Sequence, residues 1–156
     1  MAEVTTNSRR ILIAMDGSKH ATNAFVWFME HFYKDGDTLI IVYCAELGAN
    51  LPPIAQLANP GVVPIMIAEH DEEVQKVLKN IDDIVKQYNV KYSVERLHEP
   101  AGESIVLAAK DHNIDIIVSG SRGMGVVRRT ILGSVSDYIV HHAHVPVLVC
   151  KYSDQQ

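Results

Sequence analysis

The chain has 156 residues, 47% hydrophobic and 21% charged, which suits one globular domain and excludes intrinsically disordered, collagen-like and coiled-coil architectures. Lys and Arg number 14 against 19 Asp and Glu; a formal net charge of −5 argues against non-specific binding to nucleic acid or to an anionic membrane. No apolar run approaches the ~20 residues of a membrane span, and Met1 to Arg10 is polar and leads straight into Ile11 without a signal-peptide hydrophobic region. A cytoplasmic protein is the expectation.

The first apolar run, Ile11 to Met15, reads as a strand and ends in Asp16-Gly17-Ser18. Ala21, Ala24, Phe25, Phe28 and Phe32 then recur at helical spacing, with Ser18 as N-cap. A second strand, Leu39 to Cys44, is followed by a proline-rich connection from Leu47 to Pro64 that carries Pro52, Pro53, Pro60 and Pro64. That connection is either a variable surface loop or a flap over a site. Val74, Val77, Leu78, Ile81, Ile84, Val85 and Tyr88 form the stripe of a longer helix. The third run, Val90 to Leu97, alternates apolar with polar residues, as a half-exposed edge strand does. A short helix around Ile105, Val106, Ala108 and Ala109 leads to a fourth strand, Ile114 to Ser119. Val135, Tyr138 and Ile139 begin a last helix, which Pro146 prevents from continuing into the final strand, Val145 to Cys150.

Runs one, two, four and five are almost continuously apolar, as strands are when helices cover both sheet faces. Alternation of strand and helix predicts an α/β domain built on a parallel sheet with right-handed crossovers. One domain over 1–156 is expected, with flexible termini at about 1–8 and 152–156 and a mobile insert at 47–64. Cys44 and Cys150 each end an apolar run and read as small buried hydrophobes in a reducing compartment rather than as a disulfide.

The chemistry concentrates after the fourth strand. Gly120, Gly123, Gly125 and Gly133 fall within sixteen residues, and from Ile116 to Ser136 there is no acid while Arg122, Arg128 and Arg129 add positive charge. In a net acidic chain this reversal of sign points to an anionic ligand. Glycines let backbone N–H groups approach oxygen atoms closely, and Gly133-Ser134 opens a helix whose N-terminal N–H groups and dipole favour phosphate. Ser134 with Asp137 matches a capping box, so Ser134 caps the helix, faces phosphate, or does both. In a doubly wound sheet the ligand lies beyond the carboxyl ends of the strands where the winding reverses, which sets Asp16 opposite Gly120. Asp16 is either a turn residue or a partner of the nucleoside and of a divalent cation.

The spacing Gly120-x-x-Gly123, nine residues, then Gly133-Ser134 resembles the G-x-x-G-x9-G-S/T pattern of the ATP-binding branch of the universal stress protein family. The resemblance extends from Arg10 to Lys151 and includes Asp16-Gly17-Ser18, Pro100-Ala101-Gly102-Glu103 and Val145-Pro146-Val147-Leu148-Val149. It implies a doubly wound five-stranded parallel sheet of order 3-2-1-4-5 with helices on both faces, a homodimer, and bound ATP or AMP with Mg or Mn on its phosphates. Gly120, Arg122 and Gly123 would then lie along ribose and the inner phosphates. Gly133, Ser134, Val135 and Ser136 would hold the outer ones. Ala14, Met15, Asp16, Val42 and Tyr43 would enclose the adenosine half, with Asp16 as the candidate protein ligand for the metal. The Leu47–Pro64 stretch lies outside the resemblance.

His141, His142 and His144 cluster at the end of the last helix, where they suit the dipole and its free carbonyls better than a metal. No other histidine pairs with a serine or cysteine nucleophile, so no catalytic residue is assigned. There is no P-loop and no G-x-G-x-x-G after the first strand. Nor does the glycine stretch hold a histidine, lysine or glutamate to serve phosphoryl transfer. Binding with little or slow hydrolysis is therefore favoured over a slow ATPase or a phosphate- or adenylate-transferring enzyme. A regulatory role in stress response follows from the resemblance. The last strand, Val145 to Cys150, is uncharged and would be an edge, which pairing with a second copy protects.

Overall fold

The structure, a computed structural model, describes residues 8–45, 60–122 and 132–151. Five strands and four helices follow in the order β1 (Arg10–Ala14), α1 (Lys19–His31), β2 (Thr38–Cys44), α2 (Val62–Val85), β3 (Lys91–Leu97), α3 (Ala101–Asp111), β4 (Ile116–Gly120), α4 (Ser134–His142) and β5 (Val147–Cys150). The strands form one parallel sheet in the order β3-β2-β1-β4-β5, the order that the family resemblance implies. Ile13 stands between Ile41 of β2 and Val118 of β4, and Val118 between Ile13 and Leu148 of β5.

The continuous apolar runs reflect cover on both faces. Ile11, Ile13, Leu39, Ile41 and Val118 pack with Phe25 and Phe28 of α1 and Ile81 and Val85 of α2. On the other face Leu12, Ile40, Val42 and Ile117 pack with Ile105 of α3 and Ile139 of α4. The edge strand β3 alternates more and less exposed residues at its start, as its sequence pattern requires. Since α1 and α2 lie on one face and α3 and α4 on the other, the winding reverses between β1 and β4.

Local rules explain most turns. The Ser18 hydroxyl caps α1 by accepting from the Ala21 N–H at 3.2 Å. Gly17 has φ +82°, and a Cβ there would stand 3.0 Å from Val77 Cγ1, so both backbone and packing ask for glycine. Arg9 donates Nε to Asp37 Oδ1 at 2.9 Å and Nη2 to Oδ2, while the Lys34 N–H donates to Oδ2 at 2.9 Å. This buried carboxylate ties the entry of β1 to the turn before β2. Gly102 lets α3 approach α4, since a Cβ there would meet the Tyr138 ring at 2.7 Å.

Two expectations change. The second helix begins at Val62, three turns before the Val74 stripe, with Pro64 in its first turn where proline is tolerated. The proline-rich connection therefore ends at Gly61 rather than at Pro64, and residues 47–59 lie outside the described residues. The early turns escape a periodicity reading because Val63, Ile65 and Ile67 are exposed, so there is no inward stripe to detect. The second change concerns Ser134. The N-cap of α4 is Gly133, and Ser134 is the first helical residue, with no side-chain cap on the helix, so the expected capping box does not form. His141 and His142 bond through Nδ1 to the carbonyls one turn back, those of Asp137 and Tyr138, each at 2.8 Å, rather than to the free carbonyls at the helix end.

Candidate functional site

The reversal of winding between β1 and β4 opens a crevice at the carboxyl ends of these strands. Ala14 ends β1 half-buried, and Met15 is buried with its N–H donating to the Val42 carbonyl at 2.9 Å. That bond carries the β1–β2 ladder one residue beyond the strand and seats Val42 and Tyr43 beside the turn Asp16-Gly17-Ser18. Val42 is buried and Tyr43 half-buried. Asp16 is half-buried, and its Oδ1 accepts from the Ser18 N–H at 2.9 Å, so the turn role expected for it is real. Among the described residues Oδ2 takes no bond.

Gly120 ends β4, buried. A Cβ on it would stand 3.2 Å from the His20 carbonyl oxygen and 3.3 Å from that of Arg122, both backbone atoms. The first turn of α1 thus rests on Gly120, a packing reason for glycine that accompanies any approach of a ligand. Just beyond it, Ser121 is buried, its N–H donates to the Cys150 carbonyl at 3.0 Å, and its carbonyl accepts from the Gly133 N–H at 2.9 Å. Residues 121 and 133 are therefore pinned together, and the segment between them leaves and returns at one point above β4. Sequence reasoning missed Ser121, because its contribution is entirely backbone and no side-chain type encodes it. Gly123, Met124, Gly125, Arg128 and Arg129 lie outside the described residues.

At the return point, Gly133 has φ −61° and ψ 152°, ordinary for any residue. A Cβ there would meet Arg122 Cα, Ser121 O and Ser136 Oγ at 3.6 Å, normal contact distances. Among the described residues neither conformation nor packing demands glycine. Ser or Asp would cap the helix at least as well, and glycine leaves the first-turn N–H groups of α4 without a side-chain acceptor. Ser136 is buried and returns its hydroxyl to the Gly133 carbonyl at 3.1 Å; Ser134 is exposed and Val135 packs into the α3–α4 core. Arg122, half-buried, brings a guanidinium-bearing residue next to this helix end. The acid in the first turn, Asp137, is exposed and lies 3.7 Å from His141, one turn further along the helix.

The described candidates thus lie at the carboxyl end of the sheet: Asp16 just after β1, Val42 and Tyr43 in β2, Gly120 at the end of β4, Arg122 just beyond it, and Gly133 to Ser136 at the start of α4. Chemically the arrangement offers backbone donors and a helix dipole for an anion, a carboxylate for a hydroxyl or a cation, and an apolar wall. Among the described residues no group of three His, Cys, Asp or Glu side chains forms a metal site, and no helix is long and apolar enough to cross a membrane.

Comparison with known proteins agrees with this architecture. The model of the universal stress protein family matches residues 7–151. The universal stress protein PHOS34 of Arabidopsis thaliana is 28% identical over 167 residues; the match takes in 95% of this chain but 64% of that protein, so this chain spans less than two thirds of that relative. Universal stress protein UspA from Lactobacillus plantarum superimposes with a TM-score of 0.72 at 23% identity, covering 90% of this chain and 96% of that one. A universal stress protein family protein from Arabidopsis thaliana, solved with AMP bound, gives a TM-score of 0.67 at 17% identity, covering 94% and 93%. At these identities the structural likeness is one of fold.

Proposed function

Because this chain belongs to the universal stress protein family, we propose that it is an adenine-nucleotide-binding regulatory protein of the stress response, acting as a homodimer in the cytoplasm. It binds ATP or AMP and turns ATP over slowly at most. The observation that carries the reading is Gly133: a glycine that nothing among the described residues requires, at the start of α4 without a side-chain cap, beside Arg122. A phosphate explains what packing leaves unexplained, since it accepts from the first-turn N–H groups and needs the space that a side chain would take. The solved relative with AMP bound supports an adenine nucleotide as the ligand class.

In this reading Gly133, Ser134, Val135 and Ser136 offer their N–H groups to the outer phosphates, Gly120, Arg122 and Gly123 flank ribose and the inner phosphates, and Ala14, Met15, Val42 and Tyr43 wall in the adenosine half. Oδ2 of Asp16, without a bond among the described residues, accepts from a ribose hydroxyl or joins the phosphates in holding Mg or Mn. Catalysis is not assigned, because no histidine, lysine or glutamate lies in the Gly120–Ser134 stretch to position water or a base. The homodimer forms through β5, the uncharged edge strand whose outer N–H and C=O groups pair with the same strand of a second copy. Together the domain spans one unit over 1–156. Mass spectrometry of the ligand released from freshly purified protein tests the reading: an adenine nucleotide in near-stoichiometric amount is expected, and a different nucleotide or no anionic ligand would count against it.

A further inference from the structure

We propose that His70 of α2 and Arg96 of β3 read the edge of the adenine base that carries the 6-amino group, and so select adenine over 6-oxopurine nucleotides. The inference rests on the nucleotide site proposed above and adds to it two side chains from the strand and helix beyond β2. Tyr92 and Val94 pack on the core shared with α1 and α2, and side chains alternate along a strand, so Arg96 takes the next position on that inner face. Val74 of α2 is buried, and His70, one turn before it, falls on the same stripe and is half-buried. Two apolar stripes are thus each interrupted by a polar residue where they reach the carboxyl end of the sheet. Arg96 donates Nη1 to Asp71 Oδ1 at 2.9 Å, and Asp71 follows His70 in the helix, so both interruptions meet at one turn of α2. Nε of Arg96 and Nε2 of His70 are both buried, and neither atom has a hydrogen-bond partner among the described residues. Buried polar atoms left unpaired destabilise a fold, and a ligand that bonds to them relieves the loss.

Position and charge select the base as the occupant. β3 follows β2 in the order β4-β1-β2-β3, and Arg96 is the register partner of Tyr43. With phosphates at β4 and α4, ribose at Asp16 and the base against Tyr43, a strand spacing of about 4.8 Å puts the outer edge of the base at β3. Val77 lies against Gly17, and His70 comes two turns earlier in α2, so His70 is on the helix face that meets the Asp16 turn. Asp71 already balances the charge of Arg96, so the unbonded Nε–H suits a neutral acceptor rather than a phosphate. Beside its 6-amino group adenine carries a ring nitrogen acceptor on either hand, N1 or N7. Arg96 Nε–H donates to that nitrogen, and His70 Nε2, with the ring proton on Nδ1, accepts from the amino group. A 6-oxopurine puts an oxygen where the amino group would donate, so two lone pairs face each other and the base is rejected.

Calorimetric titration of the nucleotide-freed full chain tests the assignment, first without any substitution. ATP should bind at least about tenfold more tightly than GTP, than purine riboside triphosphate, which lacks the amino group, and than one of 7-deaza-ATP and 1-deaza-ATP. The weaker of the two deaza analogues identifies which edge of the base is read. Arg96→Met keeps the apolar stem and leaves Asp71 at the surface; it should weaken ATP about tenfold and leave that deaza analogue within about threefold of its wild-type affinity. His70→Phe should weaken ATP about tenfold and leave purine riboside triphosphate within about threefold. Wild-type binding of GTP, of purine riboside triphosphate or of both deaza analogues as tight as that of ATP overturns the assignment and leaves the nucleotide site standing. So does a variant that loses ATP and its analogue equally, the mark of a merely structural role, or one that binds ATP as the wild type does. No nucleotide binding by the wild type overturns the site itself, and the reading of the base with it.

Discussion

Replacing Gly102 with alanine pits two calculable effects against each other. Alanine in a helix is favoured over glycine by roughly 0.5–1 kcal/mol, less in a first turn, where Gly102 sits. Against that gain, the new Cβ would stand 2.7 Å from Tyr138 Cδ1, 2.8 Å from Cγ and 3.0 Å from Cβ. These atoms are the root of the side chain, so the ring cannot swing aside from its far end. Tyr138 is also stacked on His142 with ring centroids 3.8 Å apart, which blocks retreat along α4. Overpacking of this kind costs about 1–3 kcal/mol, so the net expectation is a loss of about 1–2 kcal/mol. For a chain of this size that lowers Tm by roughly 2–8 °C. Thermal melts followed by circular dichroism measure it. The cause is isolated by repeating the change in a Tyr138→Ala background, which removes the two ring atoms and keeps only the 3.0 Å Cβ contact, so most of the loss at 102 should disappear. A Gly102→Ala protein as stable as wild type, or an equal loss in both backgrounds, would refute the packing argument.

Asp37→Ala should destabilise by about 2–4 kcal/mol in a urea titration, because a buried carboxylate held by Arg9 and the Lys34 N–H is lost and Arg9 loses its counter-charge, keeping the Phe32 carbonyl and ring; a loss under about 0.5 kcal/mol, the ordinary surface value, would contradict it. Asp16→Asn preserves an oxygen for the Ser18 N–H, so its melt should move little, while nucleotide affinity falls by roughly 1–3 kcal/mol in calorimetric titration. The reverse pattern, lost stability with unchanged affinity, would make Asp16 a turn residue only. ATP turnover with Mg or Mn should stay well below the ~10 s⁻¹ of a typical enzyme. A single-turnover rate above about 1 s⁻¹ that vanishes in Gly133→Val would establish an ATPase instead.

The parallel sheet covered on both faces was legible because strands covered on two sides have to be continuously apolar, as Ile11 to Ile13 and Leu39 to Val42 are, while the β3 edge alternates; the strand order came from the family resemblance. The Ser18 cap was legible because its side chain makes the bond that the motif describes. What escaped is carried by backbone or by exposure. The pinning of Ser121 to Gly133 uses only main-chain atoms. The first turns of α2 turn Ile65 and Ile67 outward, and so present no inward stripe. Gly120 and Gly133 read alike in sequence, yet one is required by the first turn of α1 and the other by nothing within the described fold. That distinction needs coordinates, and it identifies which glycine can be changed without disturbing the chain.

Gly133→Val therefore separates folding from binding. Its backbone angles suit any residue and its surroundings among the described residues give a Cβ normal contact distances, so the loss should be that of exchanging an N-cap glycine for valine, about 1 kcal/mol, which leaves the protein folded. Calorimetric titration of nucleotide-freed wild-type and Gly133→Val protein with ATP is the direct measurement. The account predicts one ATP per chain for wild type and no measurable binding for a folded Gly133→Val protein. Wild-type affinity retained in that variant, or no heat of binding in the wild type, would contradict it.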